Sequence, residues 1–169
     1  YRDGYKAHLA VEPETGLVTA AALTPANAAD GPTGVGLLAG EPAGLEVLGD
    51  SAYGGGPTRS ALRAAGHLQT IKPIGSRAAV PGGFTKDDFV INLAARTVTC
   101  PAGHTVPIMA KGQAAFKQRC ASCPLRARCT TATGGRTVQI YPWEAELQAA
   151  RHQPADPLFQ ASYRRWRPM

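Results

Sequence analysis

The chain has 169 residues, of which 44% are hydrophobic and 18% charged, a balance that excludes a disordered polymer and fits one domain or a core with an appendage. It contains neither an apolar run long enough to span a bilayer nor a basic-then-apolar leader, so we expect a cytoplasmic protein. The net charge of +6 and the pI near 9.4 favour a polyanionic partner.

The first residues predict a β-hairpin. Residues Gly4 to Val11 and Leu17 to Leu23 favour strands, and the turn between them ends at Gly16, which is free to adopt a positive φ angle. The short connection makes these two strands antiparallel.

The next segment predicts a helix and then a strand–helix–strand unit. The elements are a helix with Asp30 as its N-cap that ends near Leu38, a strand over 45–50, a helix over 58–65 that Pro57 begins and Gly66 ends, and a strand over 67–72. The two strands are expected to be parallel. Pro32, Gly34 and Gly36 disfavour the first helix.

A glycine-rich stretch over 75–83 predicts a domain boundary. The elements expected after it are strands over 89–93, 97–100 and 137–140 and helices over 143–151 and 159–167. We predict a partial α/β core over 1–74, a cysteine-rich insertion over 75–142 and a C-terminal helical part of the core over 143–169.

Asp50 ends a predicted strand and precedes a glycine-rich loop. A carboxylate at this end of a strand points into the crevice where α/β sheets bind ligands, and it suits Mg²⁺. The alternative is that Asp50 caps the loop with its side chain, and the spacing leaves both interpretations open. We expect the Asp50 strand to lie beside the strand over 5–11, with the carboxylate facing solvent.

Four cysteines lie in the second half of the chain: Cys100, Cys120, Cys123 and Cys129. A CxxC pair, a third Cys six residues later and a distant fourth can form a tetrahedral Zn²⁺ site. His104 is the alternative fourth ligand. Four reduced cysteines with no metal are the alternative to a metal site.

The C-terminal third is cationic, with ten Lys or Arg and three acids from residue 111 onwards. On the last predicted helix, Tyr163 and Arg167 share a face that is suited to phosphates. The alternative is a solvated helix with Trp166 in the core.

The chain resembles the DDE transposase domain of bacterial insertion sequences, in the group with a cysteine-containing insertion before the final Glu. The resemblance rests on four segments: RDGYKAHLAVEPETGLVTAAALTPANAADG, LGDSAYGG, CPAGH with RCASCPLRARCT, and LQAARHQ with YRRWRPM.

This resemblance implies an RNase H-like α/β fold in which three acids hold two divalent ions, Mg²⁺ or Mn²⁺. Asp50 matches the second acid, the first is expected on a strand before Tyr1, and the final Glu is expected just after Met169. We therefore expect a fragment that is inactive alone, and we expect its last helix to approach Asp50. Lys6, Arg164, Arg165 and Arg167 would contact DNA or support the site, as would Tyr163.

The implied function is metal-dependent cleavage and transfer of double-stranded DNA at element ends and targets, with self-association in the active complex and a nucleoid location. Two alternatives stay open. One is a zinc-stabilised nucleic-acid-binding module without catalysis, and the other is an inactive pseudogene remnant.

Overall fold

The computed structural model describes residues 4–166. The chain is a mixed α/β protein that forms two compact units, one of residues 1–74 and 145–169 and the other of residues 75–144. Among the described residues, no helix has both the length and the apolar character needed to cross a membrane.

The first unit combines two two-stranded sheets with helices. Its elements before residue 75 are β1 (Tyr5–Val11), β2 (Val18–Pro25), α1 (Asp30–Leu37), β3 (Glu46–Gly49), α2 (Gly56–Ala64) and β4 (Leu68–Ile71). Helices α4 (Glu144–His152) and α5 (Pro157–Trp166) follow the second unit in the chain.

The predicted hairpin is confirmed. β1 pairs with β2 in antiparallel register from Tyr5 opposite Pro25 onwards, and Gly16 in the turn has a φ of 73°. The Glu12 carboxylate accepts hydrogen bonds from the backbone of the turn and from the Thr15 hydroxyl. These bonds, the Thr15 side chain foremost, lower the pKa of Glu12.

The predicted parallel pair is also confirmed, since Glu46 to Gly49 of β3 run alongside Leu68 to Ile71 of β4. The expected position of β3 beside β1 is wrong in terms of backbone pairing. β1 is hydrogen-bonded to β2, and β3 to β4, in two separate sheets. A cleft lined by both β1 and β3 takes the place of the expected pairing.

Helix α1 differs from its prediction at the N-terminus. Ala29 is the N-cap and makes no side-chain capping bond, while Asp30 is the first helical residue. Asp30 instead forms an ion pair with Lys6. Two glycines of this helix allow close packing, because a Cβ at Gly31 would lie 2.1 Å from Thr58 Oγ1 and one at Gly34 would lie 2.8 Å from the Tyr53 ring.

The second unit has short strands around an apolar core. Its elements are β5 (Val90–Asn92), β6 (Thr97–Thr99), β7 (Thr105–Pro107), β8 (Gln113–Ala115), α3 (Arg126–Cys129) and β9 (Thr137–Gln139). Strands β5, β6 and β7 form one antiparallel sheet, and β8 pairs with β9 in another. Phe89, Val98 and Phe116 belong to the core, together with Cys120 and Cys129.

Candidate functional site

A cleft of about 650 Å³ opens on the first unit beside Asp50. One wall comes from β1 and the turn after it, through Leu9, Val11 and Glu12. β3 also lines the cleft, and Tyr163 and Trp166 bring α5 to it as well. The predicted strand end and the predicted last helix therefore border one cavity.

Asp50 directly follows β3 and is exposed. Its Oδ1 accepts a hydrogen bond of 2.8 Å from the backbone N–H of Ala52, so the side chain caps the short 3₁₀ turn over Ser51–Tyr53. Asp50 therefore caps the loop, which is the alternative to metal binding that the sequence allows. This bond uses one of the two carboxylate oxygens, which leaves the other able to bind a cation from the cleft.

Among residues 4–166, the charged residues that line this cleft are all acidic: Glu12, Glu41, Glu46 and Asp50. Glu12 holds the hairpin turn, and Glu46 accepts hydrogen bonds from Thr70 and Ser162. Glu41 and Asp50 are therefore the lining acids that hold neither the turn nor α5. A cleft of this charge attracts cations and repels phosphate groups.

Tyr53 connects the loop after Asp50 to the hairpin. Its hydroxyl lies 3.2 Å from His8 Nδ1, and His8 Nε2 lies 2.9 Å from Thr24 Oγ1. Burial raises the pKa of Tyr53, and the negative charges of Asp30 and Asp50 raise it further. These contacts are not predicted from the sequence, although Tyr53 lies in the GDSAYG segment.

Arg59 is the main buried group that supports the Asp50 loop, and it is only 2% exposed. Its guanidinium donates to the carbonyls of Gly54 and Ile71 at 3.0 and 2.7 Å and to Gln153 Oε1 at 3.3 Å. Burial lowers the pKa of Arg59. This role is not predictable from the sequence, because an Arg in an amphipathic helix usually faces solvent.

The predicted DNA-contacting residues have intramolecular partners. Lys6 donates to the Ala28 carbonyl at 2.6 Å and pairs with Asp30. Arg165 pairs with Glu14 at 3.2 Å, and Arg164 donates to Gln160. Exposed pairs of this kind are weak and can be exchanged for phosphates, whereas Lys6 is half-buried and more firmly held.

Of the other predicted site residues of the tail, only Tyr163 lies within the described residues. Tyr163 lines the cleft and stacks on Phe159, with 5.7 Å between the ring centroids. Arg167 and Met169 lie outside the described residues. The DNA-contact roles stay predictions.

The four cysteines line one small pocket of the second unit, although 29 positions separate the first from the last. His104, Arg119, Arg126 and Arg136 line the same pocket. All four thiols are free, and Cys120 and Cys129 are buried.

Backbone geometry keeps this pocket tight. Gly135 has a φ of 85°, and a Cβ there would lie 2.6 Å from the Lys117 carbonyl and 3.2 Å from Cys120 Sγ. The next residue, Arg136, donates its backbone N–H to Cys120 Sγ at 3.4 Å. Glycine is thus required where the chain passes the Cys120 thiol.

The electrostatics of the pocket also link the thiols. Burial raises the pKa of Cys129, Arg136 opposes that shift, and Cys120, Cys100 and Cys123 add to it. Arg136 Nε is buried and has no hydrogen-bond partner among residues 4–166. Within that same range, no group of three or more His, Cys, Asp or Glu side chains that could hold a metal ion is found.

Comparison with known proteins gives one match. A family model described as a transposase DDE domain matches residues 1–138. No curated protein and no solved structure shows significant similarity to the chain.

Proposed function

The chain belongs to the transposase DDE domain family, and from this premise we propose that it acts on insertion-sequence DNA by divalent-metal-dependent strand cleavage and transfer. The family supports transposase function in general. The observation that carries the more specific proposal is the exposed carboxylate of Asp50 at the end of β3, in a cleft whose charged lining is acidic.

The acidic lining supports a role for cations. A DNA phosphate that approached four carboxylates alone would be repelled, so productive binding requires positive charge in the cleft. Two divalent ions, when bound, activate a water or a 3′-hydroxyl and stabilise the leaving oxygen. Asp50 would hold such an ion, Mg²⁺ or Mn²⁺, through the oxygen that does not cap the loop.

An RNase H-like sheet is the fold we propose for the complete domain. β1 and β3 are strands of separate sheets that line one cleft, and Leu9 and Val11 of β1 are exposed apolar residues there. A strand from upstream of residue 1, placed between them, would join the two sheets and bring the first acid beside Asp50. The final Glu would come from beyond α5, whose Tyr163 and Trp166 reach the cleft.

We also propose that the cysteine pocket holds one Zn²⁺ that stabilises the cysteine-rich insertion. The donor types fit, because four thiols line one pocket. As placed, the side chains of residues 4–166 form no metal-holding group, but each sulfur position depends on a single torsion, which an ion can adjust. The charge fits as well. Four thiolates and Zn²⁺ carry a net negative charge, which Arg136 would partly offset, since its Nε is buried and has no hydrogen-bond partner among residues 4–166.

Asp50→Asn in the complete protein tests the catalytic proposal. The Asn carbonyl can still accept the Ala52 N–H, so the loop keeps its cap while the charge for a metal ion is lost. We expect DNA cleavage to fall at least about 100-fold, with DNA binding unchanged. Glu41→Gln is the matched control, because it removes another lining carboxylate and should keep most activity.

The outcome also separates the two interpretations of Asp50. Near wild-type cleavage by Asp50→Asn would contradict a metal-binding role and leave the cap as its function. The alternative function is a zinc-stabilised nucleic-acid-binding module, which the cysteine pocket also supports. It predicts that the complete protein binds DNA without cleaving it.

A further inference from the structure

The positive charge of this protein is unevenly divided between its two units. Residues 75–144 contain nine Lys or Arg and three Asp or Glu, whereas the rest of the chain contains nine of each. The formal charge of +6 is therefore carried in full by the second unit. No Asp or Glu occurs between Asp88 and Glu144 in the sequence.

The three acids at the ends of this stretch do little to offset its charge. Glu144 is buried and pairs with Lys86 at 2.5 Å. Asp88 accepts hydrogen bonds from the backbone and hydroxyl of Thr85, in a capping box at the start of a 3₁₀ turn. The acid-free stretch therefore presents positive potential with little internal compensation.

Five cations of this stretch lie on the turns around the cysteine pocket, and we call them the cationic rim: Lys117, Arg119, Arg126, Arg128 and Arg136. Two of them hold the turns together. Arg126 donates to the carbonyls of Cys120, Ala132 and Thr133, and Arg136 donates to that of Cys129. Both are only partly exposed.

The other three members of the rim are exposed: Lys117, Arg119 and Arg128. Lys117 and Arg119 lie on one 3₁₀ turn that also contains Cys120. Arg128 stacks its guanidinium over the Phe84 ring, 4.7 Å from the centroid, which fixes the stem of the side chain and leaves N–H groups for a ligand. These three exposed cations therefore lie on the turns that surround the cysteine pocket.

We propose that the cationic rim is a docking surface for the phosphate backbone of duplex DNA, and that it supplies most of the sequence-independent affinity of this chain. The choice of DNA as the polyanion rests on the proposed function. Lys and Arg that contact phosphates release condensed counterions, which gives affinity without reading sequence. The first unit is neutral overall and its cleft is acidic, so it cannot supply this long-range attraction.

Two double variants of the full chain test the proposal. Lys117→Gln with Arg119→Gln removes two charges from the rim, and Arg164→Gln with Arg165→Gln removes two charges from α5. Binding to a short fluorescent duplex of arbitrary sequence is measured over a series of salt concentrations, after thermal unfolding has established that each variant is folded. The slope of log affinity against log salt counts the phosphate contacts.

We expect the rim variant to bind more weakly and its slope to fall in magnitude by about 1.8, or about 0.9 for each lost contact. The α5 variant, which removes two predicted DNA contacts, should lose less affinity and less slope than the rim variant, because the rim supplies most of the attraction. Equal losses in both variants, or a loss in the α5 variant alone, would overturn the rim as the docking surface while leaving DNA as the partner. A wild-type chain that binds no duplex even at low salt would contradict the proposed function itself.

Discussion

Ser162 of α5 donates a hydrogen bond of 2.6 Å to the Glu46 carboxylate of β3, across 116 positions of sequence. The same Glu46 oxygen accepts the Thr70 hydroxyl of β4. One carboxylate therefore links the parallel strand pair to the last helix. Through this link Tyr163 and Trp166 are held at the cleft that Asp50 borders.

Ser162→Ala should loosen α5 without unfolding the first unit. A single hydrogen bond of this kind contributes about 1 kcal/mol, and the partner oxygen keeps Thr70. We expect a small loss of global stability and a clear rise in amide hydrogen exchange over 157–166. Ser122→Ala, at an exposed serine of the second unit, is the control and should change neither quantity. Unchanged exchange in Ser162→Ala would show that apolar packing alone holds α5.

The glycines of α1 give opposite predictions at two neighbouring sites. Gly36 has open space at its Cβ position, so Gly36→Ala should stabilise the protein by about 0.5–1 kcal/mol through helix propensity. Gly34→Ala should instead destabilise it by about 1–3 kcal/mol, because the new methyl group would lie 2.8 Å from the Tyr53 ring. Chemical denaturation of both variants measures the difference. A stabilising Gly34→Ala would mean that the Tyr53 ring moves aside at no cost.

The glycines of α1 also show which features could not be predicted from the sequence. A strand–turn–strand pattern and a strand–helix–strand pattern depend on local residues, and both were predicted with the correct pairing. Gly31 and Gly34 oppose helix formation locally, and only the positions of Thr58 and Tyr53 explain them. Strands β7 and β8 were not predicted, because Pro107 disfavours a strand at Thr105–Pro107 and because Gln113–Ala115 contains no β-branched or aromatic residue.

In the candidate site too, residues that belong to a local motif were predicted, whereas residues defined by tertiary contacts were not. Asp50 and the four cysteines stand out by motif and spacing, and the structure places Asp50 at a cleft and the cysteines around one pocket. Arg59 and the His8–Tyr53 contact depend on contacts between distant segments, which no spacing rule reveals. Within residues 4–166, β1 pairs with β2 and β3 with β4 in separate sheets, which could not be predicted from the sequence either, because pairing between non-neighbouring strands is a tertiary property.

In α2, substitution of Arg59 should lower the free energy of unfolding more than substitution of Arg63. Arg59→Ala leaves a cavity and removes donors from two backbone carbonyls, so we expect a loss of about 2–4 kcal/mol. Arg63→Ala on the same helix removes only a pair between an exposed guanidinium and Glu146, and should cost less than about 1 kcal/mol. Urea unfolding of the two variants compares them directly. Similar losses would contradict the role assigned to Arg59.

If Arg59 positions the Asp50 loop, Arg59→Lys should loosen that loop while the protein stays folded. Lysine can replace one of the hydrogen bonds but cannot reach Gly54, Ile71 and Gln153 together. We expect a folded protein in which amide exchange rises over the loop 50–55. An exchange pattern like that of the wild type would mean that the loop is held by the Asp50 cap alone.

The cysteine pocket predicts one bound zinc ion per chain, which elemental analysis of the purified protein measures. Treatment with a strong chelator should remove the ion and lower the melting temperature, since binding to the folded state stabilises it. Unfolding of the second unit is the expected origin of that change, because Cys120 and Cys129 belong to its core. A chain that is free of zinc and indifferent to chelation would leave four reduced core cysteines as the better account.

Cys100→Ser and His104→Ala then identify the fourth ligand. Both residues line the pocket, and the backbone N–H of Cys100 donates to the His104 carbonyl at 2.9 Å, so the two are joined in one turn. A tetrathiolate site requires Cys100, and Cys100→Ser should lower zinc affinity at least about tenfold. His104 is exposed, and His104→Ala should retain the ion. The reverse result, with zinc lost from His104→Ala and kept by Cys100→Ser, would make the site a three-cysteine, one-histidine centre, because a ring nitrogen of His104 would then occupy the fourth tetrahedral position.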